Sequence, residues 1–357
     1  MDGGALAGRV IELVGRDHED IRDDDVNRLA LDLFAWQRGR CVAVARIADA
    51  FLGDHEPAEI DEIPAVPTDV FKTTRVACFP PEETTHVFRT SGTTRDVRGE
   101  HHFANRVAYR RAALSAASRW LLTEPTYRFI LLALDEDEAP DSSLSFMLGL
   151  FARRWSPTYG HPFYIRDGAV DLERLVRDLE RAERDGVPVA MLGASYGFVH
   201  LFEGAPEGRF KLPPESVVMP TGGYKGRSRE MDAAEFHAEL TARLGVPRGR
   251  ILGEYGMTEL SSQAYEALRE GAPPGVYRAP PWMRVTAVDP VTLRAVREGE
   301  VGLLRVVDLA NHQSAIAVQT SDLGRVRDGG FEVLGRAPGA TPRGCARALD
   351  AVLRGEG

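Results

Sequence analysis

Apolar side chains at Val26, Leu29, Ala30, Leu33 and Phe34 recur at intervals of three and four, so a helical winding places all of them on one buried face, and residues 42–51 continue the pattern. A proline-marked stretch, 63–71, reads as a loop. Beyond it, helical and strand-like periods alternate: 105–122 helical, 128–134 a strand, 143–153 helical, and 171–185 a helix with Leu172, Leu175, Val176 and Leu179 on one side. Strands are then predicted at 187–192, 216–219 and 250–252, with a helix over 231–244 between the last two. Such alternation is the signature of a layered α/β sheet. After Pro273 the texture changes to short strands at 283–288, 303–307, 315–319 and 331–334, separated by Gly, Pro and Asp turns, which predicts a small β subdomain. No internal repeat or low-complexity tract interrupts the chain.

Composition narrows the function classes. The 357 residues are enough for roughly two packed units at about 150 residues each. A net charge of −9 argues against a nucleic-acid partner, because that affinity rests on clustered Lys and Arg neutralising phosphates. No apolar run approaches the ~18 residues of a membrane span, and residues 1–20 lack the basic start and apolar block of a signal peptide, so no membrane partner and a cytoplasmic location are expected. Cys41, Cys78 and Cys345 are odd in number and too scattered for a zinc cluster or disulfide framework, so reduced thiols are expected. Among 44 basic residues only Lys72, Lys211 and Lys225 are lysines, which singles them out.

Two segments carry chemistry. Arg89-Thr90-Ser91-Gly92-Thr93-Thr94 follows a short apolar strand, 86–88, and precedes a long helix; small hydroxyl residues let the backbone approach a polyphosphate and offer it donors. Gly253-Glu254-Tyr255-Gly256-Met257-Thr258-Glu259 stands at the end of a predicted strand, where α/β proteins place ligand sites, and holds a ring for a base, a hydroxyl for a phosphate and a carboxylate for Mg²⁺. Each alone also reads as an ordinary turn.

Together the pair resembles the phosphate loop and the Tyr-Gly-x-Thr-Glu motif of the adenylate-forming enzymes, the superfamily of acyl-CoA synthetases, peptide-synthetase adenylation domains and firefly luciferase. Thr221-Gly222-Gly223-Tyr224-Lys225 sits where that superfamily has its adenine loop, Thr320-Ser321-Asp322-Leu323 resembles its ribose-binding motif, and Gly335-Arg336 resembles the start of its hinge motif. Within the superfamily, Pro67-Thr68-Asp69-Val70-Phe71-Lys72, Gly222-Gly223-Tyr224-Lys225, and Gly335-Arg336-Ala337-Pro338-Gly339-Ala340 with Arg343-Gly344-Cys345 resemble the acyl-protein synthetases of bacterial luminescence fatty-acid reductases. One departure is Arg95, which follows Ser-Gly-Thr-Thr where the family has glycine; the lysine often found in that loop is absent too.

The resemblance implies an α/β fold, the large N-terminal domain of an adenylate-forming enzyme, over residues 1–335. Residues 336–357 would be a truncated hinge and short tail in place of the usual mobile C-terminal domain of about a hundred residues. It implies ATP and Mg²⁺ as cofactors, and attack of a substrate carboxylate on the α-phosphate of ATP. By this reading Ser91, Gly92, Thr93 and Thr94 hold the β- and γ-phosphates, Thr258 the α-phosphate and Glu259 the Mg²⁺. Gly222, Gly223 and Tyr255 bracket adenine, Tyr224 and Gly256 also contribute to the cofactor site, Asp322 accepts from the ribose, and Arg336 neutralises charge. Lys225 or Lys72 would replace the lysine of the mobile domain, with Lys225 favoured because it follows the adenine loop directly; a surface role is the default for either. Gly193-Ala194-Ser195-Tyr196 would lie by the acid pocket, where His200 is either a lining or a structural residue. His101 and His102 read as a solvated helix start more readily than as phosphate ligands.

Cys345 precedes an Ala- and Leu-rich helical stretch, so its thiol would sit at a helix N-terminus where the dipole and a nearby arginine lower its pKa. The expected function is activation of a small carboxylic acid as an acyl-adenylate, followed by acyl transfer to a thiol: the chain's own Cys345, a carrier protein or a reductase partner. The alternatives are an acyl-CoA or amide-forming ligase, with CoA as one acceptor, and a nucleotide- or acyl-binding protein that has lost catalysis.

Overall fold

The stripe from Val26 to Phe34 lies on the helix Asp23–Arg38, where all five side chains are buried together with the polar Gln37. In the computed structural model of the chain, residues 2–91, 97–156, 160–205, 209–222, 231–337 and 343–353 are described. They group into two units: residues 1–115, 256–264 and 275–357, and residues 116–255 and 265–274.

In the first unit, the helices Gly3–Leu13, Asp23–Arg38 and Val42–Phe51 bury Leu6, Val10, Leu33 and Ile47 in one core with Trp282, Val306 and Val318. Four strands, Met283–Val288, Gly302–Asp308, Ala317–Arg327 and Gly330–Arg336, pair antiparallel in chain order, and Val276–Arg278 adds to the last. The β texture after Pro273 is thus one meander. The helix Arg343–Leu353 buries Ala348 and Val352 in the same core.

Two local expectations are corrected here. Residues 63–71 are not merely a loop: Val66–Pro67 pairs parallel with Val318 and Gln319, and Val70–Thr73 forms a helical turn. Thr68 N–H donates to the Gln319 carbonyl at 3.1 Å, so burial of Val66 and one backbone bond beyond the proline make a strand too short to show a period. Likewise, the phosphate-loop segment leads not into a helix but into a second strand, Glu100–Phe103, paired antiparallel with His86–Arg89; the helix Val107–Trp120 comes after it. His101 and Phe103 point inward and Glu100 and His102 outward, so His101 is a core residue rather than part of a solvated helix start.

In the second unit, Arg128–Leu132, Val189–Ala194 and Val217–Thr221 form a parallel sheet in that order. Arg128–Leu132 and Val189–Ala194 are buried at every position, as strands covered on both faces must be. The helices Ser143–Trp155, Leu172–Asp185 and Ser195–Gly204 lie between them in sequence, and Ala233–Leu244 follows the last strand. Ser142, Asp171 and Asp232 accept backbone N–H bonds at three of the helix starts, and Gly186 and Gly245 close two of the helices in the left-handed conformation. The expected strand at 250–252 reduces to one parallel bridge, Val218 to Ile251, after a turn at Arg248–Arg250.

Near the carboxyl end of the middle strand, Gly193 has φ +150°, and a Cβ there would lie 2.4 Å from the Leu132 carbonyl oxygen. Gly193→Ala therefore has to separate two paired strands, and we expect it to destabilise the protein by about 2 kcal/mol in urea unfolding followed by circular dichroism. Wild-type stability in that variant would show that the strands yield without cost.

Candidate active site

The two paired segments of the first unit converge with its meander. Pairing of Val66–Pro67 beside the strand that carries Asp322 delivers the Thr68–Lys72 segment, and Lys72 Nζ donates to Asp69 Oδ1 at 2.7 Å. Phe71 lies under the hairpin, its ring 6.1 Å from that of His101. A Cβ on Gly99 would meet Thr90 at 3.2 Å and Phe71 at 3.5 Å, so the hairpin is seated closely. Thr90 Oγ1 accepts from the Gly99 N–H at 2.9 Å, and Arg98 donates to the carbonyls of Thr90 and Arg89 at 2.6 and 3.2 Å. These bonds leave Ser91 exposed at the rim.

Thr258 and Glu259 enter the same region. The Thr258 hydroxyl lies 3.5 Å from the Arg89 carbonyl, and the Thr258 carbonyl accepts from His101 Nδ1 at 2.8 Å. Burial pushes the His101 pKa down to about 4, so the ring is neutral and that carbonyl keeps the proton on Nδ1. Glu259 is only 6% exposed, and burial pushes its carboxyl up to about 7; its own N–H, Arg336 and Lys72 pull the other way, and Asp322 adds to the rise. Asp322 and Arg336 face each other on paired strands, with Arg336 Nε 3.6 Å from Asp322 Oδ1 and the Arg336 side chain largely in solvent. Lys72, Asp322 and Arg336 thus all act on one buried carboxyl.

A buried polar network holds that carboxyl's backbone. Asp308 accepts from the N–H groups of Ser261, Ser262 and Ala310 at 2.9, 2.8 and 3.0 Å and from the Ser262 hydroxyl at 2.7 Å. Asn311 Nδ2 donates to the Glu259 carbonyl at 2.8 Å, and Gln37 donates to the carbonyls of Asn311 and His312. Sequence reasoning missed Asp308, Asn311 and Gln37, and read His101 as part of a solvated helix start. The one available signal was Gln37, three residues beyond Phe34 and so in line with the 26–34 stripe, where a buried amide needs partners.

Cys345 sits in the first turn of the helix Arg343–Leu353, as expected, but its ionisation is the opposite of that expected. It is 3% exposed among Val288 and Leu303, and burial, with Asp69 nearby, pushes the thiol up to about 11. Loss of hydration outweighs the helix dipole here. The other thiols are free and buried too, and Cys78 donates to the Ser314 carbonyl at 3.1 Å.

In the second unit, the carboxyl ends of the parallel strands gather Ser195, Thr221, Gly222 and Glu254. Ser195 Oγ donates to the Gly222 carbonyl at 2.9 Å, Gly222 has φ +66°, and the Thr221 hydroxyl donates to Glu254. Burial pushes Glu254 up to about 7 as well. Gly253 is pinned by donating its N–H to Glu266 at 2.7 Å and accepting from the Glu266 N–H at 3.0 Å; Tyr255 follows, buried. The chain passes between units at the next bond, so Gly256, Thr258 and Glu259 belong to the first. His200 lies on the helix Ser195–Gly204 with its ring 6.1 Å from that of Tyr196. Gly92, Thr93, Thr94, Arg95, Gly223, Tyr224 and Lys225 lie outside the described residues.

Residues 46–354 match the family described as "Acyl-protein synthetase, LuxE". The chain belongs to the LuxE acyl-protein synthetase family. Among curated relatives of this acyl-protein synthetase family member is the long-chain-fatty-acid–luciferin-component ligase of Aliivibrio fischeri, 23% identical over 310 residues, which are 83% of this chain and 80% of the relative. Among solved structures, 2-hydroxyisobutyryl-CoA ligase in its postadenylation state superposes with a TM-score of 0.65 at 16% identity, over 88% of this chain and 68% of that one. ATP-bound MatB from Rhodopseudomonas palustris gives a TM-score of 0.50 at 17% identity, and the alignment spans 72% of this chain and about half, 49%, of that longer chain. The fold is therefore that of the adenylate-forming enzymes. Among the described residues of this acyl-protein synthetase, no helix is long and apolar enough to cross a membrane, and no group of three or more His, Cys, Asp or Glu is placed to hold a metal.

The raised carboxyl of Glu259 has a measurable signature. Its ordinary pKa of 4.5 rises to about 7 on folding, so between those values the folded chain holds a proton that the unfolded chain has released, and stability falls as pH rises through that window. Glu259→Gln removes this slope. The variant is expected to melt above the wild type at about pH 8 and together with it at about pH 4. A variant that melts lower at the alkaline end would mean that the carboxylate is well solvated or paired in the folded chain.

Proposed function

We propose that this chain uses ATP to activate a carboxylic acid as an acyl-adenylate and then accepts the acyl group on Cys345 for delivery to a carrier or reductase partner. The observation that carries the proposal is the gathering of Lys72, Thr258, Glu259, Asp322 and Arg336 in one unit, with Asp69 electrostatically linked to both Lys72 and Cys345. Family membership supports the ligase class, and similarity to the long-chain-fatty-acid–luciferin-component ligase of Aliivibrio fischeri supports a fatty acid as the acid.

In the first step a carboxylate oxygen attacks the α-phosphorus, the bond to the bridging oxygen breaks and pyrophosphate leaves. Such transfers are governed by positioning and charge neutralisation rather than by a strong base. Ser91, with Gly92, Thr93 and Thr94, offers donors to the departing phosphates, and Thr258 holds the α-phosphate. Gly222, Gly223, Tyr224, Tyr255 and Gly256 bracket adenine, Asp322 accepts from the ribose, and Arg336, paired with Asp322, faces solvent from which the nucleotide arrives. Glu259 fits Mg²⁺: a lone buried carboxyl suits an ion that is otherwise held by phosphates and water, and its raised pKa means that a cation need only displace a proton. When bound, the ion supplies charge neutralisation on the leaving pyrophosphate.

For the cationic role left open between Lys225 and Lys72, the coupling of Lys72 to Glu259 favours Lys72. In the second step the Cys345 sulfur attacks the acyl carbon, AMP leaves and a thioester forms. Because its thiol is buried and held up to about 11, attack requires the first turn of its helix to open and the proton to depart.

ATP–pyrophosphate exchange across a panel of carboxylic acids tests the first step; no exchange with any acid would leave only a binding role. Lys72→Met is expected to lower the exchange turnover on the order of a hundredfold with little change in ATP affinity, as loss of a transition-state cation does. Equal loss of both, or of neither, would return the role to Lys225. Intact-protein mass spectrometry after incubation with ATP, Mg²⁺ and acid should give a hydroxylamine-labile adduct. It should form faster as pH rises above neutrality and vanish in Cys345→Ala with exchange preserved. An adduct that persists in that variant, or acceptor-dependent AMP release with CoA alone, would move the acyl group to another thiol.

A further inference from the structure

The first unit contains a cavity of about 400 Å³ between the helix Val42–Phe51, the turn Ile60–Glu62 and the meander. Its walls include Ile47, Phe51, Leu52 and Leu293, and none of Lys72, Glu259, Asp322 or Arg336 lines it. At its inner end lie Arg305 and Gln319, cross-strand partners on neighbouring strands of the sheet.

Both carry unmet hydrogen-bonding capacity. Arg305 is only 7% exposed, and among the described residues its Nε and one terminal nitrogen make no hydrogen bond. The nearest carboxylate, Asp61, stands 3.6 Å away, half in solvent, and already accepts from the Thr286 hydroxyl at 3.1 Å. Gln319 Oε1 is likewise unpartnered among the described residues, while its Nε2 donates to the carbonyls of Leu304 and Thr320; those two bonds fix which end of the amide is which. A guanidinium kept out of water with one long ion pair and no hydrogen bond from Nε is incompletely satisfied, and its fork of donors matches a carboxylate. The lining charges agree: Arg294, Arg305 and Arg347 stand against Asp61 and Glu62, one positive charge in excess.

We propose that this cavity is a second ligand site, which takes a monocarboxylate with an apolar body, the carboxylate on Arg305 and the body against Ile47, Phe51, Leu52 and Leu293. Its volume lies in the ~300–1,000 Å³ range of small-molecule sites. The acid bound here is not the one being activated. It acts from outside the residues assigned to the nucleotide.

Calorimetric titration of octanoate into the full chain, without ATP, tests this. Octanoate should bind, octan-1-ol should bind at least about tenfold more weakly, and Arg305→Met should weaken octanoate by at least about tenfold, the effect of losing a charge-assisted pair. Ala295→Trp, at the exposed rim, should weaken both ligands. Arg305→Met should melt no lower than the wild type, since it removes a buried charge whose ion pair with the half-exposed Asp61 is long, at similar volume, and should retain ATP–pyrophosphate exchange. The proposal is overturned if octanoate does not bind, if octan-1-ol binds as tightly, if Arg305→Met binds octanoate like the wild type, or if that variant loses exchange. Exchange in the wild type reports the adenylation reading separately, so the two can fail independently.

Discussion

Four donors converge on the carboxylate of Asp308, and the position of Thr258 and Glu259 depends on them. The segment after Gly256 has no strand of its own until Ala264, so regular pairing cannot place it. Instead the N–H groups of Ser261 and Ser262 are drawn onto a side chain at the end of a central strand, where Trp282 Nε1 also donates to the Ser262 hydroxyl at 2.9 Å. A buried acid is retained at such a point because removing it would strand four donors in a dry core. From this fixed base the chain runs back three residues to Glu259, whose carbonyl is held separately by Asn311.

The result is a carboxyl kept where folding alone would not want it. Glu259 has cations nearby, Arg336 and Lys72, but Arg336 is largely hydrated and Lys72 is already engaged by Asp69, so neither offsets the loss of water around the buried acid. Glu254 repeats the situation in the other unit, relieved among the described residues by the Thr221 hydroxyl. Two acids with raised pKa values in the segment to which the proposed function assigns phosphate and its counter-ion fit a protein in which part of the stabilising charge arrives with the ligand.

The helices Asp23–Arg38 and Val42–Phe51 were legible in the sequence because their burial is periodic over many residues, and the strands around Ile130 and Met191 because they are unbroken apolar runs. Short elements were not. Val66–Pro67 and Glu100–Phe103 are too brief for a period to emerge, yet they seat Lys72 and His101. At the site, motif residues such as Thr258, Glu259 and Asp322 were readable from type and order. Asp308 and Gln37 were not, since their roles arise from partners 46 and 274 residues away that only the folded chain brings near. Cys345 shows the limit of reading a local feature: the helix start was visible, whereas the apolar neighbours from distant strands that reverse its acidity were not.

Gln37 has a reach beyond its own helix. It donates to the carbonyls of Asn311 and His312 and accepts from the Ile316 N–H at 3.0 Å, so the loop whose Asn311 steadies Glu259 is itself tied to a helix that ends before residue 46, where the family match begins. Homology and mechanical integrity therefore have different borders in this chain. A fragment cut to the recognisable family span would keep Thr258, Glu259 and Asp322 and still lose the brace behind Glu259.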